Sequence, residues 1–233
     1  RNLNEEVYPG GVIAIARNLS DFCKKITIMS ALGQSREYEK YIKKILPRNV
    51  KAKFLCKTKS PTIIKKRYIE HVSMNKVLGV YTMNDALLNK KDQLIFEKML
   101  SKEIKKYDLV VVSDYGHGLI TKKLAKFLCK NSKFLALNAQ VNASNIGYHS
   151  IQKYSNVDCV IINETELRQE LRDKDDRIDK LVKKLVKKIN IKDLVVTRGS
   201  NGAILYNSIK KKYIHCPAFA SKVIDKIGAG DAM

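Results

Sequence analysis

Residues 157–197 read VDCVIINETELRQELRDKDDRIDKLVKKLVKKINIKDLVVT and contain a complete strand–helix–helix–strand unit. The aliphatic runs Val157–Ile162 and Leu194–Thr197 have the length and composition of buried strands. Between them, Asp176–Ile189 repeats apolar residues at helical spacing and places lysines on the opposite face, which is typical of an amphipathic helix. Two buried strands joined through helices predict a parallel sheet covered by helices.

The same alternation extends towards the amino terminus, and further strands follow residue 197. Residues 61–84 differ, because two strands there mix apolar and basic residues and predict a half-exposed antiparallel ribbon. We expect Ser35 to cap a helix that ends before Pro47. The sequence therefore predicts an α/β fold with a mostly parallel sheet, whose ligands bind at the carboxyl ends of the strands. The other predicted elements are strands at 26–32, 51–56, 109–113 and 134–137, helices at 12–23, 91–106, 121–129 and 164–171, and a hairpin at 203–216.

Composition narrows the functional classes. The chain has 233 residues and a formal net charge of +22, but its basic residues occur as pairs along the whole chain rather than as one block. This distribution favours solvated lysine-rich surfaces over a nucleic-acid tail. The five cysteines and four histidines lack the spacing of zinc or disulfide frameworks, which predicts reduced core thiols and a cytoplasmic location. No apolar run approaches the roughly 20 residues that span a bilayer.

The segment Asp225-Lys-Ile-Gly-Ala-Gly-Asp231 has the pattern of an anion-binding turn. Gly228, Ala229 and Gly230 allow a tight turn that presents successive backbone N–H groups at a helix start. A carboxylate beside such a turn suits phosphoryl transfer, in which Asp231 accepts the proton of the attacking hydroxyl. The alternative is a glycine-rich surface turn with Asp231 as a helix cap, and the residues alone leave both open.

This segment resembles the D-T-x-G-A-G-D motif of the ribokinase-like (PfkB) carbohydrate kinases. It matches at Asp225, Gly228–Gly230 and Asp231, while Lys226 replaces the usual Thr. The resemblance implies an αβα sandwich with a small β lid, here at about residues 61–84, and an ATP- and Mg²⁺-dependent sugar kinase. It also implies a single kinase domain over residues 1–233, and we expect that domain to be truncated at both ends.

Other motifs of the family occur in order, each with a structural alternative. The family's Gly-Gly motif, which lies against the sugar, is matched directly after Pro9. Its N-x-x-E motif, which organises magnesium through water, is matched before the amphipathic helix. Its T-x-G-x-x-G segment, which binds the nucleotide, is matched after that helix. The alternatives are a helix-entry turn, a capping box and a hairpin connection, respectively. The matching residues are Gly10 and Gly11 for the sugar, Asn163 and Glu166 for magnesium, and Thr197, Gly199 and Gly202, together with Asp225, for the nucleotide.

Two further stretches resemble the heptose-7-phosphate kinases that form half of bifunctional kinase/adenylyltransferases. Ser113–Gly116 resembles their S-D-Y-G-K-G, with His117 in place of Lys, and Pro61–Arg67 resembles their P-T-x-x-K-x-R. The resemblance implies that Asp114 holds the sugar and that Lys65 and Arg67 bind a substrate phosphate. The alternatives are a strand-end cap and plain exposed residues. Asn138 and Asn142 are in a stretch where many members carry Asp-Pro, and their amides suit sugar hydroxyls.

We therefore expect an ATP-dependent kinase that acts on a sugar or sugar phosphate, for example D-glycero-D-manno-heptose 7-phosphate. Asp231 is the expected base. Because the lid strands alternate apolar and basic residues, one lid face is expected to be apolar and to form a homodimer in the full-length protein. The alternative is a non-catalytic basic module on a decayed kinase fold that binds nucleic acid or another polyanion.

Overall fold

The computed structural model describes residues 4–71, 75–140 and 149–219. The described residues fall into two compact units, one within residues 4–95 and one within residues 96–219. The predicted anion-binding turn Asp225–Asp231 and Asn142 lie outside the described residues. A single domain over residues 1–233 stays a prediction. Within the described ranges, no helix has both the length and the hydropathy needed to cross a membrane.

The first unit begins with a parallel strand pair and its helices. Ala16, Ile28 and Val50 form the buried centre, because the apolar face of the first helix packs on both strands. The second helix begins at Glu39, with Tyr38 at the cap position and no side-chain cap, so the prediction that Ser35 caps it is wrong. The elements are α1 Val12–Leu19, β1 Ile26–Leu32, α2 Glu39–Ile45 and β2 Val50–Cys56, with β1 and β2 paired from Ile26 opposite Val50.

The predicted ribbon consists of β3, Ile64–Ile69, and β4, Lys76–Thr82, paired antiparallel. Every residue of β3 is exposed. The register places Lys65 and Arg67 on one face, opposite Tyr81 and Gly79. The other face carries four apolar side chains that are between one third and just over one half exposed: Ile64, Tyr68, Leu78 and Val80. Lys66 lies on this face too, opposite Val80, and pairs with Glu5, so the face is not the uniformly apolar one that the alternating pattern predicts.

The second unit contains a six-stranded sheet in the order β10-β9-β8-β7-β6-β5. Strands β5 to β8 are parallel, and β9 and β10 add an antiparallel hairpin. This confirms the predicted α/β class with a mostly parallel sheet. The remaining elements in chain order are α3 Lys90–Glu103, β5 Val110–Asp114, α4 Lys122–Asn131, β6 Leu135–Ala139, β7 Val157–Asn163, α5 Glu164–Leu171, α6 Ile178–Ile189, β8 Ile191–Thr197, β9 Ala203–Asn207 and β10 Lys212–Cys216.

The core of this unit lies between the sheet and its helices. The apolar stripe of α6 is buried, including Leu181 and Leu185 at 0% exposure, and it packs on β8, where Leu194 and Val196 are equally buried. All five cysteines are free thiols; four are half-buried, but Cys216 is exposed, so it is not the core thiol that the sequence predicts. Because β5 to β8 are parallel, their last residues are all at the carboxyl edge of the sheet.

Candidate functional site

An open groove lies at the carboxyl ends of β7 and β8. It has a volume of about 420 Å³. Three of its residues, Asn163, Thr197 and Gly199, come from the two motifs that the sequence analysis assigned to magnesium and to the nucleotide. The structure therefore brings these two motifs to one place. The groove is lined by Asn163, Glu164, Thr165, Arg168, Thr197, Arg198 and Gly199.

A carboxylate and two guanidinium groups form the charged part of the groove. Glu164 Oε1 accepts hydrogen bonds from Arg168 Nη2 at 2.8 Å and Arg168 Nε at 3.1 Å, and Glu164 Oε2 accepts one from Arg198 Nε at 2.8 Å. The hydrogen bond from Arg198 is the main cause that lowers the pKa of Glu164, and the bond from Arg168 adds to it. Because Glu164 stays ionised, two positive groups face one negative group in the groove.

Asn163 and Glu166 form a reciprocal capping box at the start of α5. The Glu166 N–H donates to Asn163 Oδ1 at 2.8 Å, and the Asn163 N–H donates to Glu166 Oε2 at 2.9 Å. The capping box that the sequence analysis gave as the structural alternative for this motif is therefore present. Their amide and carboxylate oxygens are also the ligand types that Mg²⁺ prefers, usually with water completing its shell. The role of these two residues in organising magnesium stays a prediction.

The glycines of the nucleotide segment differ in their surroundings. Gly199, at φ +57°, lines the groove, and a Cβ added there meets nothing within 4 Å. Gly202, at φ +73°, packs against the end of β10, where an added Cβ would lie 2.0 Å from the Cys216 carbonyl oxygen. Thr197 and Gly199 therefore remain candidates for nucleotide binding, whereas the contacts of Gly202 are those of a structural glycine.

Asp114 is at the end of β5 and is only 4% exposed. Its Oδ2 accepts hydrogen bonds from Tyr154 Oη at 2.6 Å and contacts Lys153 Nζ at 2.6 Å, and its Oδ1 accepts the Gly116 N–H at 3.1 Å. The His149 ring Nε2 lies 3.1 Å from the Asp114 carbonyl oxygen. Burial lowers the pKa of His149, and burial also raises that of Tyr154. Both oxygens of Asp114 thus have partners within the protein, an arrangement that favours the strand-end alternative over sugar binding.

Asn138 lies one strand away from Asp114, on β6. Its Nδ2 donates to the Ile161 carbonyl oxygen at 2.9 Å, so the amide spans two neighbouring strands. A small cavity of about 10 Å³ lies near these strand ends and is lined by His149, Glu166 and Glu170, among others. It has room for about one water molecule.

The remaining candidate residues belong to the first unit. Gly11, at φ +57°, occupies the N-cap position of α1, which agrees with a helix-entry turn. Gly10 is exposed, and an added Cβ there meets nothing within 4 Å. Lys65 and Arg67 share an exposed face of β3, as binding to a substrate phosphate requires. Their sugar and phosphate contacts stay predictions.

Five residues that contact Asp114 or Glu164 have no role in the prediction from the sequence. Arg198 occupies a variable position of the T-x-G-x-x-G segment, and Arg168 follows the N-x-x-E motif by two positions. Lys153 and Tyr154 lie about 40 residues from their partner Asp114, and no local pattern links them. These two residues and His149 lie in the connection between β6 and β7, and the tertiary structure brings them to Asp114.

The pfkB family carbohydrate kinase pattern matches residues 2–233. The bifunctional protein HldE of Campylobacter jejuni (strain RM1221) is 25% identical over all of this chain, which covers 48% of that protein. An uncharacterized sugar kinase of Buchnera aphidicola is 26% identical over 97% of this chain and 69% of its own length. The chain thus spans about half the length of several curated relatives that it matches.

Solved structures share the fold at lower identity. The tetrameric inhibited form of phosphofructokinase-2 from Escherichia coli has a TM-score of 0.76 and 18% identity over 97% of this chain and 78% of its own. Ribokinase from Arabidopsis thaliana complexed with ribose and ATP has a TM-score of 0.64 and 17% identity, and the match covers 94% of this chain and 70% of the ribokinase chain. The sequence match over nearly every residue and the shared ribokinase-like fold lead to one assignment: the chain belongs to the pfkB family of carbohydrate kinases.

Proposed function

We propose that the protein is an ATP-dependent sugar kinase that transfers the γ-phosphoryl group of ATP to a hydroxyl of a sugar or sugar phosphate. The observation that carries this proposal is the groove at the ends of β7 and β8. There, Thr197 and Gly199 of the nucleotide segment line the same space as Asn163, which caps α5. Carboxyl strand ends are where α/β folds bind ligands, and the excess positive charge of the groove suits a phosphate chain.

The chemical step is assigned to the segment Asp225–Asp231. The sugar hydroxyl oxygen forms a bond to the γ-phosphorus, its proton passes to the Asp231 carboxylate, and the bond from the γ-phosphorus to the β,γ-bridging oxygen breaks to release ADP. The N–H groups of Gly228–Gly230 stabilise the negative charge on the phosphoryl oxygens. A positioned base contributes about 10²- to 10⁴-fold in rate, and one anion-hole donor about 3–4 kcal/mol. Sequence and family membership support these roles.

Asn163 and Glu166 are the residues of this chain that would hold Mg²⁺, through water. When bound, Mg²⁺ supplies positive charge that offsets the charge of the ATP phosphates. The capping box contributes by fixing both side chains at the start of α5, since each one accepts a hydrogen bond from the backbone of the other.

The substrate class that we favour is a sugar that already carries a phosphate, such as D-glycero-D-manno-heptose 7-phosphate. Lys65 and Arg67 on one exposed face of the lid support this, because a guanidinium fork matches phosphate geometry. The similarity to the bifunctional protein HldE supports it as well. The proposal is tested by measuring turnover of a panel of free sugars and sugar phosphates. Turnover of unphosphorylated hexoses equal to that of sugar phosphates would overturn it.

We also propose that the protein forms a homodimer through the lid and functions in the cytoplasm. The exposed apolar side chains of Ile64, Tyr68, Leu78 and Val80 on one lid face support the dimer, and the five free thiols support the location. Sedimentation over a range of concentrations measures the assembly. A monomer at all concentrations would contradict the dimer.

The decisive test of the proposed activity is Asp231→Asn, which removes the base without changing the shape of the side chain. We expect kcat to fall by about 10²- to 10⁴-fold while nucleotide affinity stays nearly constant. Asp108→Asn is the matched control, because Asp108 is 96% exposed and pairs with the surface residue Lys133. An Asp231→Asn variant within a few-fold of the wild type would refute the assignment. A full-length protein without ATP turnover would favour the alternative of a non-catalytic basic module.

A further inference from the structure

We propose that Arg198 is a phosphate-binding residue of the groove at β7 and β8 and that Glu164 holds it in position. The inference rests on the proposed function for the identity of the ligand, a nucleotide polyphosphate. The chemical class, a chain of phosphate groups, follows from the groove itself.

The two arginines of the groove differ in how their nitrogens are used. Arg168 donates from Nε and Nη2 to Glu164 Oε1, and from Nη1 to the carbonyl oxygens of Lys174 at 2.9 Å and Asp176 at 3.0 Å. Arg198 donates only from Nε, to Glu164 Oε2. Its two Nη nitrogens have no hydrogen-bond partner among residues 4–71, 75–140 and 149–219.

The difference gives each residue a separate task. Arg168 fixes Glu164, because its planar guanidinium is held on three of its nitrogens. Glu164 in turn fixes the Nε edge of Arg198, whose guanidinium lines the groove at 26% side-chain exposure. The remaining edge carries both Nη groups, which are the donors that bind two phosphate oxygens as a fork. A guanidinium that is already oriented loses less conformational entropy when it binds.

Other donors face the same space. Thr165 and Thr197, which also line the groove, each carry a hydroxyl group that can donate a hydrogen bond. At the start of α5, Asn163 caps only the N–H of Glu166, and the first two N–H groups of a helix have no intrahelical acceptor. These N–H groups carry the positive end of the helix dipole. Together with Arg198, the groove offers more donors than acceptors and one excess positive charge.

The proposal predicts an energetic pattern across ligands. Arg198 contributes to binding only where phosphate groups are present, so its removal weakens ATP, ADP and tripolyphosphate but leaves adenosine unaffected. A residue that merely supports the fold would weaken all of these ligands in parallel.

The test is calorimetric titration of wild type, Arg198→Gln and Arg198→Lys with ATP, ADP, adenosine and magnesium tripolyphosphate. We expect Arg198→Gln to weaken ATP and tripolyphosphate by about 10- to 100-fold, because it loses charge-assisted hydrogen bonds. We expect Arg198→Lys to lie between wild type and Arg198→Gln, since a lysine keeps the charge but loses the fork. Melting temperatures of all variants show that the fold is retained.

Arg177→Gln is the control for charge alone, because Arg177 is 80% exposed and does not line the groove. It is expected to bind every ligand like the wild type. An Arg198→Gln variant that binds ATP and tripolyphosphate within twofold of the wild type would overturn the inference and leave the proposed function standing. Wild-type binding of tripolyphosphate that depends on Arg198, without binding of ATP, would support the inference and contradict the proposed function. A wild type that binds neither would overturn both.

Discussion

The ends of β5 and β8 belong to the same sheet edge but treat their polar residues in opposite ways. At β5, the Asp114 carboxylate is buried and accepts a hydrogen bond on each oxygen, with Lys153 as its counter-ion. At β8, the Arg198 side chain lines an open groove, and among the described residues its guanidinium makes one hydrogen bond, from Nε to Glu164. We therefore expect a polar residue at a strand end to bind a ligand only when its hydrogen bonds within the protein leave some of its donors or acceptors unused.

The physical reason is the cost of burying a charge. A carboxylate removed from water needs partners within the protein, and each partner uses acceptor capacity that a ligand could otherwise take. A groove keeps its charged groups partly hydrated, so a ligand can replace water at modest cost. The three predictions below test this contrast.

The largest effect is expected for Lys153→Met, which removes the buried counter-ion of Asp114. Loss of one partner of a buried pair costs about 3–5 kcal/mol, because the other charge remains buried without compensation. We expect a loss of unfolding free energy in this range by urea titration. Lys133→Met, which removes a surface ion pair, serves as control and should leave the midpoint unchanged. A stable Lys153→Met protein with a raised KM for the sugar would reverse the comparison and make the β5 end a ligand site.

An intermediate effect is expected for the two glycines beyond β8. Gly202→Ala places a Cβ against the Cys216 carbonyl oxygen at positive φ, and we expect a loss of about 2–4 kcal/mol. Gly199→Ala has only the backbone cost of about 1–2 kcal/mol, since the space beside it is open. Thermal unfolding measures both, and nucleotide titration should show the larger loss of affinity for Gly199→Ala. Equal stability losses in the two variants would contradict this division.

The smallest effect is expected at Asn163. Asn163→Ala removes the cap of α5 and should lower stability by about 1 kcal/mol, whereas Asn163→Ser keeps a capping oxygen and should stay within a few tenths of wild type. If Asn163 also organises magnesium, both variants need more Mg²⁺ for half-maximal turnover. An Asn163→Ser variant with a wild-type Mg²⁺ titration would leave the capping box as the role of this residue.

The periodic parts of the chain were predictable. The amphipathic helix of residues 176–189 and the strands around it occur within two or three residues of their predicted bounds, because a 3.6-residue apolar period and short aliphatic runs report burial directly. The capping box of Asn163 and Glu166 was readable for the same reason, since it is a contact between residues three positions apart. The start of α2 could not be predicted from the sequence, because a serine near a helical pattern does not determine where the first turn begins.

The sequence by itself determined the α/β class, the order of the strands along the chain, the ribbon at residues 61–84 and the motifs that indicate a carbohydrate kinase. These depend on local periodicity and on short spacings. Only the tertiary structure decided that Asp114 is enclosed by Lys153 and Tyr154, and that Arg198 shares Glu164 with Arg168. These partners are 30 to 40 residues apart, except for Arg168 and Glu164. Glu164 and Arg198 meet because they follow two neighbouring parallel strands that end at one edge of the sheet, whereas Lys153 and Tyr154 reach Asp114 from the connection between β6 and β7.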